Sequence, residues 1–185
     1  MITFTRRKQD CLKKDDKSSI GNWDEHIKNL CEKINKKTNY YTLSSCAGRI
    51  VLLKNLVKKG PDMFILRSHE KISFEELKKS LEDYKGKENL IFKQETCILH
   101  VCCEKIEDAE MLLNLAREAG WKNSGIMSTQ GRIVCELRST EYLAFPIMVG
   151  GKILVSDEFL KVVILESNEK LERTWEKIEK LEKSL

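Results

Sequence analysis

The stretch YYTLSSCAGRIVLL, at positions 40–53, decides the fold class. Its two ends, Tyr40–Leu43 and Arg49–Leu53, are rich in aromatic and branched apolar residues, which is typical of strands. The segment between them, Ser44–Gly48, is small and polar and contains a glycine, which predicts a turn. We therefore expect a hairpin whose turn offers hydroxyls, a thiol and an approachable backbone to a ligand. A tight hairpin whose small residues merely fit the turn would show the same pattern.

Helices and strands alternate on both sides of this stretch. Apolar spacing predicts helices at Phe4–Leu12, at Ile106–Ala119 with Gly120 as its stop, and after a capping box that begins at Ser73. One further helix should pack on a sheet through Trp23, Ile27, Leu30, Cys31 and Ile34. The other predicted strands are Met63–Ser68, Leu90–Phe92, Cys97–Cys102, Gly125–Met127, Arg132–Leu137 and, more briefly, Lys152–Val155.

The last part of the chain should be helical. Pro146 and Gly150-Gly151 are predicted to break the chain, and Ser156 to cap a helical region that is kinked near Ser167-Asn168. Its predicted apolar stripe contains Phe159, Val162, Val163, Leu171, Trp175 and Ile178. The fold class is therefore α+β, with a mixed, largely antiparallel sheet and flanking helices. The pattern G-x-G-x-x-G is absent, so a Rossmann fold is disfavoured.

Short segments of the chain recur. Phe64–Ile72 echoes Cys97–Ile106, and Gly48–Val51 echoes Gly131–Val134. Either residues 1–185 form a single domain of two pseudo-related lobes, or the matches arise by chance.

Composition excludes several classes of protein. Hydrophobic residues make up 41% and charged residues 34%, which is typical of a globular chain, and the net charge of +4 permits a nucleic-acid partner. No secretory signal or apolar run of membrane-spanning length is visible, so we expect a cytoplasmic protein with reduced thiols and no membrane partner. The adjacent Cys102 and Cys103 are wrongly spaced for a chelate and no C-x-x-C occurs, so no metal site is predicted.

Two histidines are candidates for acid–base chemistry. His69 follows a predicted strand and His100 lies inside one, where either could accept a proton near neutral pH. A surface position for His69 and a core position for His100 are the alternatives, and His26 should be solvated. Arginines in or beside strands could meet phosphates or carboxylates, or pair with Glu136; they are Arg49, Arg67, Arg132 and Arg138. The aromatic residues that could stack on a base, or fill the core, are Tyr40, Tyr41, Trp121 and Tyr142.

Several segments, in order, resemble the tRNA wybutosine-synthesising protein 3 family. Tyr41–Ile50 is close to that family's Tyr-Thr-Thr-Ser-Ser-Cys-Ser-Gly-Arg-Ile, and Gly120–Ile126 is similar to its Gly-Phe-Arg-Asn-Ser-Gly-Ile. The other matching segments are Asp16–Asp24, Ser68-His69-Glu70, Ile98–Val101, and Arg138-Ser139-Thr140 with Leu143 and Pro146. The chain departs from the family at Ala47, where a serine is usual, at Ile20, where a lysine is usual, and at Thr96, where a proline is usual.

The resemblance implies a methyltransferase that uses S-adenosylmethionine. Its substrate would be the tricyclic demethylwyosine-type guanosine beside the anticodon of tRNA(Phe), methylated at N4. The residues expected to line one cleft are Ser44, Ser45, Cys46, Gly48, Arg49, Ser124, Gly125 and Arg138. His69 is the expected proton acceptor and His100 its alternative. Two competing readings stay open: a catalytically inactive RNA-binding paralogue, and an interaction protein that uses its charged C-terminal helix.

Overall fold

The computed structural model describes residues 3–13, 24–56 and 60–185. The helices in these ranges are α1 (Phe4–Leu12), α2 (Glu25–Lys36), α3 (Phe74–Asp83), α4 (Ile106–Glu118) and α5 (Asp157–Ser184), with a short 3-10 turn at Pro61–Met63. The strands are β1 (Tyr40–Cys46), β2 (Arg49–Lys54), β3 (Phe64–Ser68), β4 (Leu90–Glu95), β5 (Ile98–Cys103), β6 (Gly125–Ser128), β7 (Ile133–Arg138), β8 (Leu143–Val149) and β9 (Lys152–Ile153). In these ranges, no helix combines the length and apolar character needed to cross a bilayer.

The chain forms two compact units, each assembled from separate stretches of sequence. Unit 1 contains Met1–Ala47, Cys97–Thr140 and Thr174–Leu185. Unit 2 contains Gly48–Thr96 and Glu141–Arg173. The chain therefore passes from one unit to the other at four points, the first of them between Ala47 and Gly48.

Unit 1 is built on a four-stranded antiparallel sheet in the order β1-β5-β7-β6. Its core lies on one face of this sheet, against α2 and α4. The apolar residues of α2 recur at helical spacing, and all four are fully buried: Ile27, Leu30, Cys31 and Ile34. Trp175, Ile178 and Leu181 of α5 pack into the same core. We call the opposite face the outer face; a smaller cluster of Phe4, Tyr41 and Cys102 lies there, under α1.

Unit 2 is built on a five-stranded antiparallel sheet in the order β3-β2-β4-β8-β9. Phe92, Phe145 and Phe159 form an aromatic row, with ring centroids 5.4 and 5.6 Å apart. The capping box at the start of α3 is complete, because Ser73 accepts from the Glu76 amide and Glu76 accepts from the Ser73 amide.

The α+β class is confirmed, and so are the predicted helices at α1, α3 and α4. The predicted hairpin at positions 40–53 is wrong. Residues Ser44–Cys46 continue β1. The strands β1 and β2 lie in different sheets, because β1 pairs with β5 whereas β2 pairs with β3 and β4. Pairing with a distant strand overrides the local turn signal of Ser44 and Ser45. Every pair within the described residues is antiparallel, so the chain has two antiparallel sheets in place of one mixed sheet.

Three predictions near the C-terminus also need correction. Pro146 does not break the chain but lies inside β8, beside a register shift in the pairing with β4, where a missing amide is tolerated. The helix α5 runs uninterrupted past the predicted kink. Phe159 and Val162 are exposed, while Val163, Leu171 and Ile178 are buried as predicted.

Residues 14–23, which include Trp23, Ile20 and most of the segment Asp16–Asp24, lie outside the described residues.

Candidate functional site

Four of the ten predicted site residues lie on the outer face of the sheet in unit 1. Directly opposed residues of neighbouring strands project to the same side of a sheet. Ser44 of β1 is opposite His100 of β5, which is opposite Glu136 of β7. The next position along these strands on the same face places Cys46 opposite Ile98, and Ile98 opposite Arg138. The register of the sheet therefore gathers Ser44, Cys46, His100 and Arg138 on one surface.

His100 is held between a hydroxyl and a carboxylate. Its Nδ1 lies 2.8 Å from Ser44 Oγ, and its Nε2 lies 3.1 Å from Glu136 Oε2. If Nε2–H donates to Glu136, Nδ1 is free to accept the proton of the Ser44 hydroxyl. The His100 and Glu136 side chains are 22% and 27% exposed, so the Ser44–His100–Glu136 row is sheltered but still accessible. The row can orient a hydroxyl and accept a proton through it.

Ser124 and Gly125 lie at the start of β6, next to this surface. Gly125 is opposite Glu136, and the space where its side chain would project is open. The Ser124 hydroxyl donates to the Trp121 carbonyl at 2.6 Å and accepts from the Arg138 amide at 3.0 Å. Both hydrogen bonds join the hydroxyl to backbone groups, so the Ser124 side chain stabilises the loop and strand ends beside the site.

Ser45 points to the opposite side of the sheet. It is paired with Leu99, on the face that packs against α2. Burial raises the pKa of the Cys31 thiol of α2 to about 12, and a hydrogen bond with Ser45 partly opposes this rise. Ser45 therefore contacts the core side of unit 1 and does not share a face with Ser44.

Asp24 is a residue that sequence reasoning left without a role. It precedes α2, and its Oδ2 accepts a 2.9 Å hydrogen bond from the Ala47 amide, just after β1. Ala47 itself is fully buried in the core of unit 1, which explains why a methyl group is accommodated at this position. Glu136 was named only as a possible partner for arginines, because its pairing with His100 depends on the register of β5 and β7.

The three remaining predicted residues, Gly48, Arg49 and His69, belong to unit 2. Gly48 has a φ of +100°, which favours glycine. Arg49 Nε lies 2.6 Å from Glu95 Oε2, and its guanidinium lies 5.4 Å from the centroid of the Phe64 ring. An anion at Arg49 would therefore compete with Glu95. His69 follows β3, in a turn closed by two hydrogen bonds between the Ser68 hydroxyl and Glu70.

The aromatic residues considered for base stacking are mostly in the core. Tyr40, Tyr41 and Trp121 are buried, so the core alternative is confirmed for these three, whereas Tyr142 is exposed. His26 is not simply solvated, because its ring stacks on Trp175 at 3.7 Å.

Comparison with known proteins assigns the chain to a family. A family profile described as Methyltransferase TYW3 matches residues 6–185. The chain belongs to this methyltransferase family, which confirms the resemblance found in the sequence. The names of its relatives refer to wybutosine synthesis and to a modified nucleoside of tRNA(Phe).

Relatives match over most of their length. A tRNA wybutosine-synthesizing protein 3 homolog of Danio rerio is 33% identical, with 99% of this chain and 74% of the relative covered. A tRNA(Phe) 7-((3-amino-3-carboxypropyl)-4-demethylwyosine(37)-N(4))-methyltransferase of Thermococcus sibiricus is 36% identical, with 86% and 82% covered. The solved structure of the PH1069 protein from Pyrococcus horikoshii has a TM-score of 0.86 at 32% identity, with 98% of this chain and 93% of that one covered.

Proposed function

We propose that this protein transfers a methyl group from S-adenosylmethionine to N4 of a demethylwyosine-type guanosine in tRNA(Phe). Membership of the methyltransferase family supports the reaction class, and the archaeal relatives' names support the substrate. The observation that carries the proposal is the Ser44–His100–Glu136 row, since it supplies a proton acceptor on an accessible sheet face. Position 37 in the names of the archaeal relatives supports the placement of this guanosine beside the anticodon.

The residues on the outer face of unit 1 fit S-adenosylmethionine chemically. The exposed Arg138 guanidinium suits a methionine carboxylate, and the Glu136 carboxylate suits a sulfonium or ammonium. The open space at Gly125 leaves room beside them. When bound, S-adenosylmethionine supplies an electrophilic methyl group on its sulfonium. Arg49 of unit 2 is a second guanidinium that could hold a carboxylate, by exchange with Glu95.

The chain's own residues would position the substrate nitrogen and take up its proton. The nitrogen gains a methyl group and loses a proton, which the Ser44 hydroxyl can relay to Nδ1 of His100. Glu136 fixes the orientation and tautomer of the imidazole. Positioning of the reacting atoms can supply about 7–11 kcal/mol of the barrier, and a positioned base adds about 10²- to 10⁴-fold. His69 stays a predicted proton acceptor in unit 2.

The proposed location is the cytoplasm. None of the seven cysteines, all of which lie in the described ranges, forms a disulfide, although the sulfurs of Cys103 and Cys135 lie only 3.8 Å apart. Thiols that remain reduced at this separation agree with a reducing compartment.

One assay tests the proposed function. Purified protein is incubated with S-adenosylmethionine and tRNA(Phe) that carries the demethylated tricyclic nucleoside. The tRNA is then digested to nucleosides, and their masses are measured by mass spectrometry. A gain of one methyl group on that nucleoside is expected. His100→Ala and His69→Ala should each reduce the rate, and the larger loss identifies the proton acceptor. Glu110→Gln, on the exposed side of α4, is the matched surface control for Glu136→Gln.

The RNA-binding paralogue makes a different prediction. Such a protein would bind tRNA without binding S-adenosylmethionine. Calorimetric titration of S-adenosylmethionine into the wild-type chain therefore separates the two functions, and the absence of binding heat would reject the methyltransferase.

A further inference from the structure

Unit 1 contains a small pocket that has no role in the chemistry above. It has a volume of about 240 Å³ and opens between α1, the end of β5 and the turn that joins β6 to β7. Ligand sites for drug-sized molecules are about 300–1,000 Å³, so this pocket suits a smaller group. Its lining consists of Arg7, Cys102, Cys103, Glu104, Thr129, Gly131, Arg132 and Ile133. We call it the arginine pocket.

The polar groups of the arginine pocket favour an anion. Arg7 and Arg132 supply two guanidinium groups and Thr129 a hydroxyl, against one carboxylate from Glu104. Within the described ranges, neither arginine has a carboxylate oxygen within 4.0 Å. Arg7 Nε is buried and has no hydrogen-bond partner among the residues that the structure describes. Burial raises the pKa of the Cys102 thiol, and the positive charges of Arg132 and Arg7 partly oppose this rise.

The pocket is pre-formed by the docking of α1. Arg7 Nη1 donates a 2.7 Å hydrogen bond to the Gly131 carbonyl, and the Lys8 ammonium donates to the Lys37 carbonyl. Gly131 has a φ of +72°, which allows the turn to present Arg132 beside it. Arg132 is exposed, so its side chain is accessible to a ligand.

The position of the pocket relates it to the candidate site. Cys102 follows His100 by two residues on β5 and projects to the same outer face. A strand rises about 3.4 Å per residue, so the two Cα atoms are roughly 7 Å apart. This separation suits a nucleotide neighbour of the base that would lie at His100.

We propose that the arginine pocket binds a backbone phosphate of the substrate RNA. Arginine and threonine side chains are usual partners of phosphate oxygens, and such contacts set the register of a nucleic acid without reading its sequence. The pocket therefore positions the RNA backbone, while the base that is methylated lies beside His100 on the same sheet. The assignment of RNA as the ligand rests on the proposed function. The experiment that tests it measures tRNA affinity and does not depend on methylation.

Salt dependence of tRNA binding tests the pocket. In single-stranded nucleic acid, each phosphate contact contributes about 0.7 to the slope of log affinity against log salt, which corresponds to about fivefold in affinity at 0.1 M salt relative to 1 M. Arg132→Gln should therefore weaken tRNA binding about fivefold at 0.1 M salt and lower the slope by about 0.7. Arg7→Gln should weaken tRNA binding and lower the salt slope by similar amounts. If loss of Arg7 unfolds α1, the result for Arg132→Gln alone tests the pocket. Arg6→Gln is the matched control, since Arg6 lies on α1 outside the pocket and pairs with Asp10.

The outcomes separate the pocket from the reaction. An unchanged slope in Arg132→Gln, with wild-type methylation intact, overturns the pocket and leaves the function. A lowered slope without any wild-type methylation retains the pocket as an RNA contact and rejects the function. Inorganic phosphate is the second probe: if Arg132→Gln abolishes its binding but leaves the tRNA slope unchanged, the site binds free anions and the RNA assignment is wrong.

Discussion

Replacing Glu136 by glutamine tests the row in which His100 is held. The amide keeps the shape of the side chain but removes the charge that faces His100 Nε2 at 3.1 Å. A hydrogen bond to a charged group contributes about 1.5–3 kcal/mol. Because the two side chains are 22% and 27% exposed, we take the lower part of this range, about 1.5–2 kcal/mol. At about 1.36 kcal/mol per factor of ten, kcat/KM should fall by about 10- to 30-fold.

The assay is steady-state methylation of the demethylated tRNA(Phe), with S-adenosylmethionine affinity and thermal unfolding measured in parallel. Ser44→Ala and the double variant complete a cycle, since Ser44 and Glu136 contact opposite nitrogens of one imidazole. The double variant should lose less than the product of the two single losses. A Glu136→Gln enzyme that folds, binds the cofactor and turns over within twofold of wild type would refute the role of the row.

Three further predictions concern stability and thiol reactivity. Leu30→Ala should lower the free energy of unfolding by about 2–5 kcal/mol in urea titration, because Leu30 is fully buried in the core of unit 1; a loss below about 1 kcal/mol would contradict that packing. Gly120→Ala should cost about 1–2 kcal/mol in the same titration, because Gly120 ends α4 at a φ of +96° and an added Cβ would lie 3.2 Å from the Lys177 side chain. Iodoacetamide at pH 8 should label Cys11 and Cys46 before Cys31, because the pKa of Cys31 is raised to about 12 and little thiolate forms below it; mass spectrometry that finds Cys31 labelled first would contradict this order.

Local signals predicted the helices and most strands correctly. The capping box at Ser73 and the spacing of Ile27, Leu30 and Ile34 are short-range patterns, and both appear in the structure as expected. The strand at Ser44–Cys46 was missed because Ser44 and Ser45 carry a local turn signal, while the partners of this segment on β5 lie more than fifty positions away. No local pattern indicates that β1 and β2 enter different sheets.

The structure places four of the predicted site residues on one surface, and their roles in a site stay predictions. These residues are Ser44, Cys46, His100 and Arg138. The contact of His100 with Glu136 depends on the register of β5 against β7, which a sequence pattern alone does not set. The shared cleft that would also include Arg49 and His69 stays a prediction.

The interleaving of the two units has a consequence for how the chain can be made and dissected. Ile178 and Leu181 are buried in unit 1 alongside Ile27 and Leu30, about 150 positions earlier. During synthesis, that interior stays incomplete until the C-terminal segment has emerged from the ribosome, so unit 1 matures after translation of residues 174–185. A truncation after Asn168 would therefore remove core side chains as well as a charged surface, and point substitutions on α5 are the sound way to test that helix.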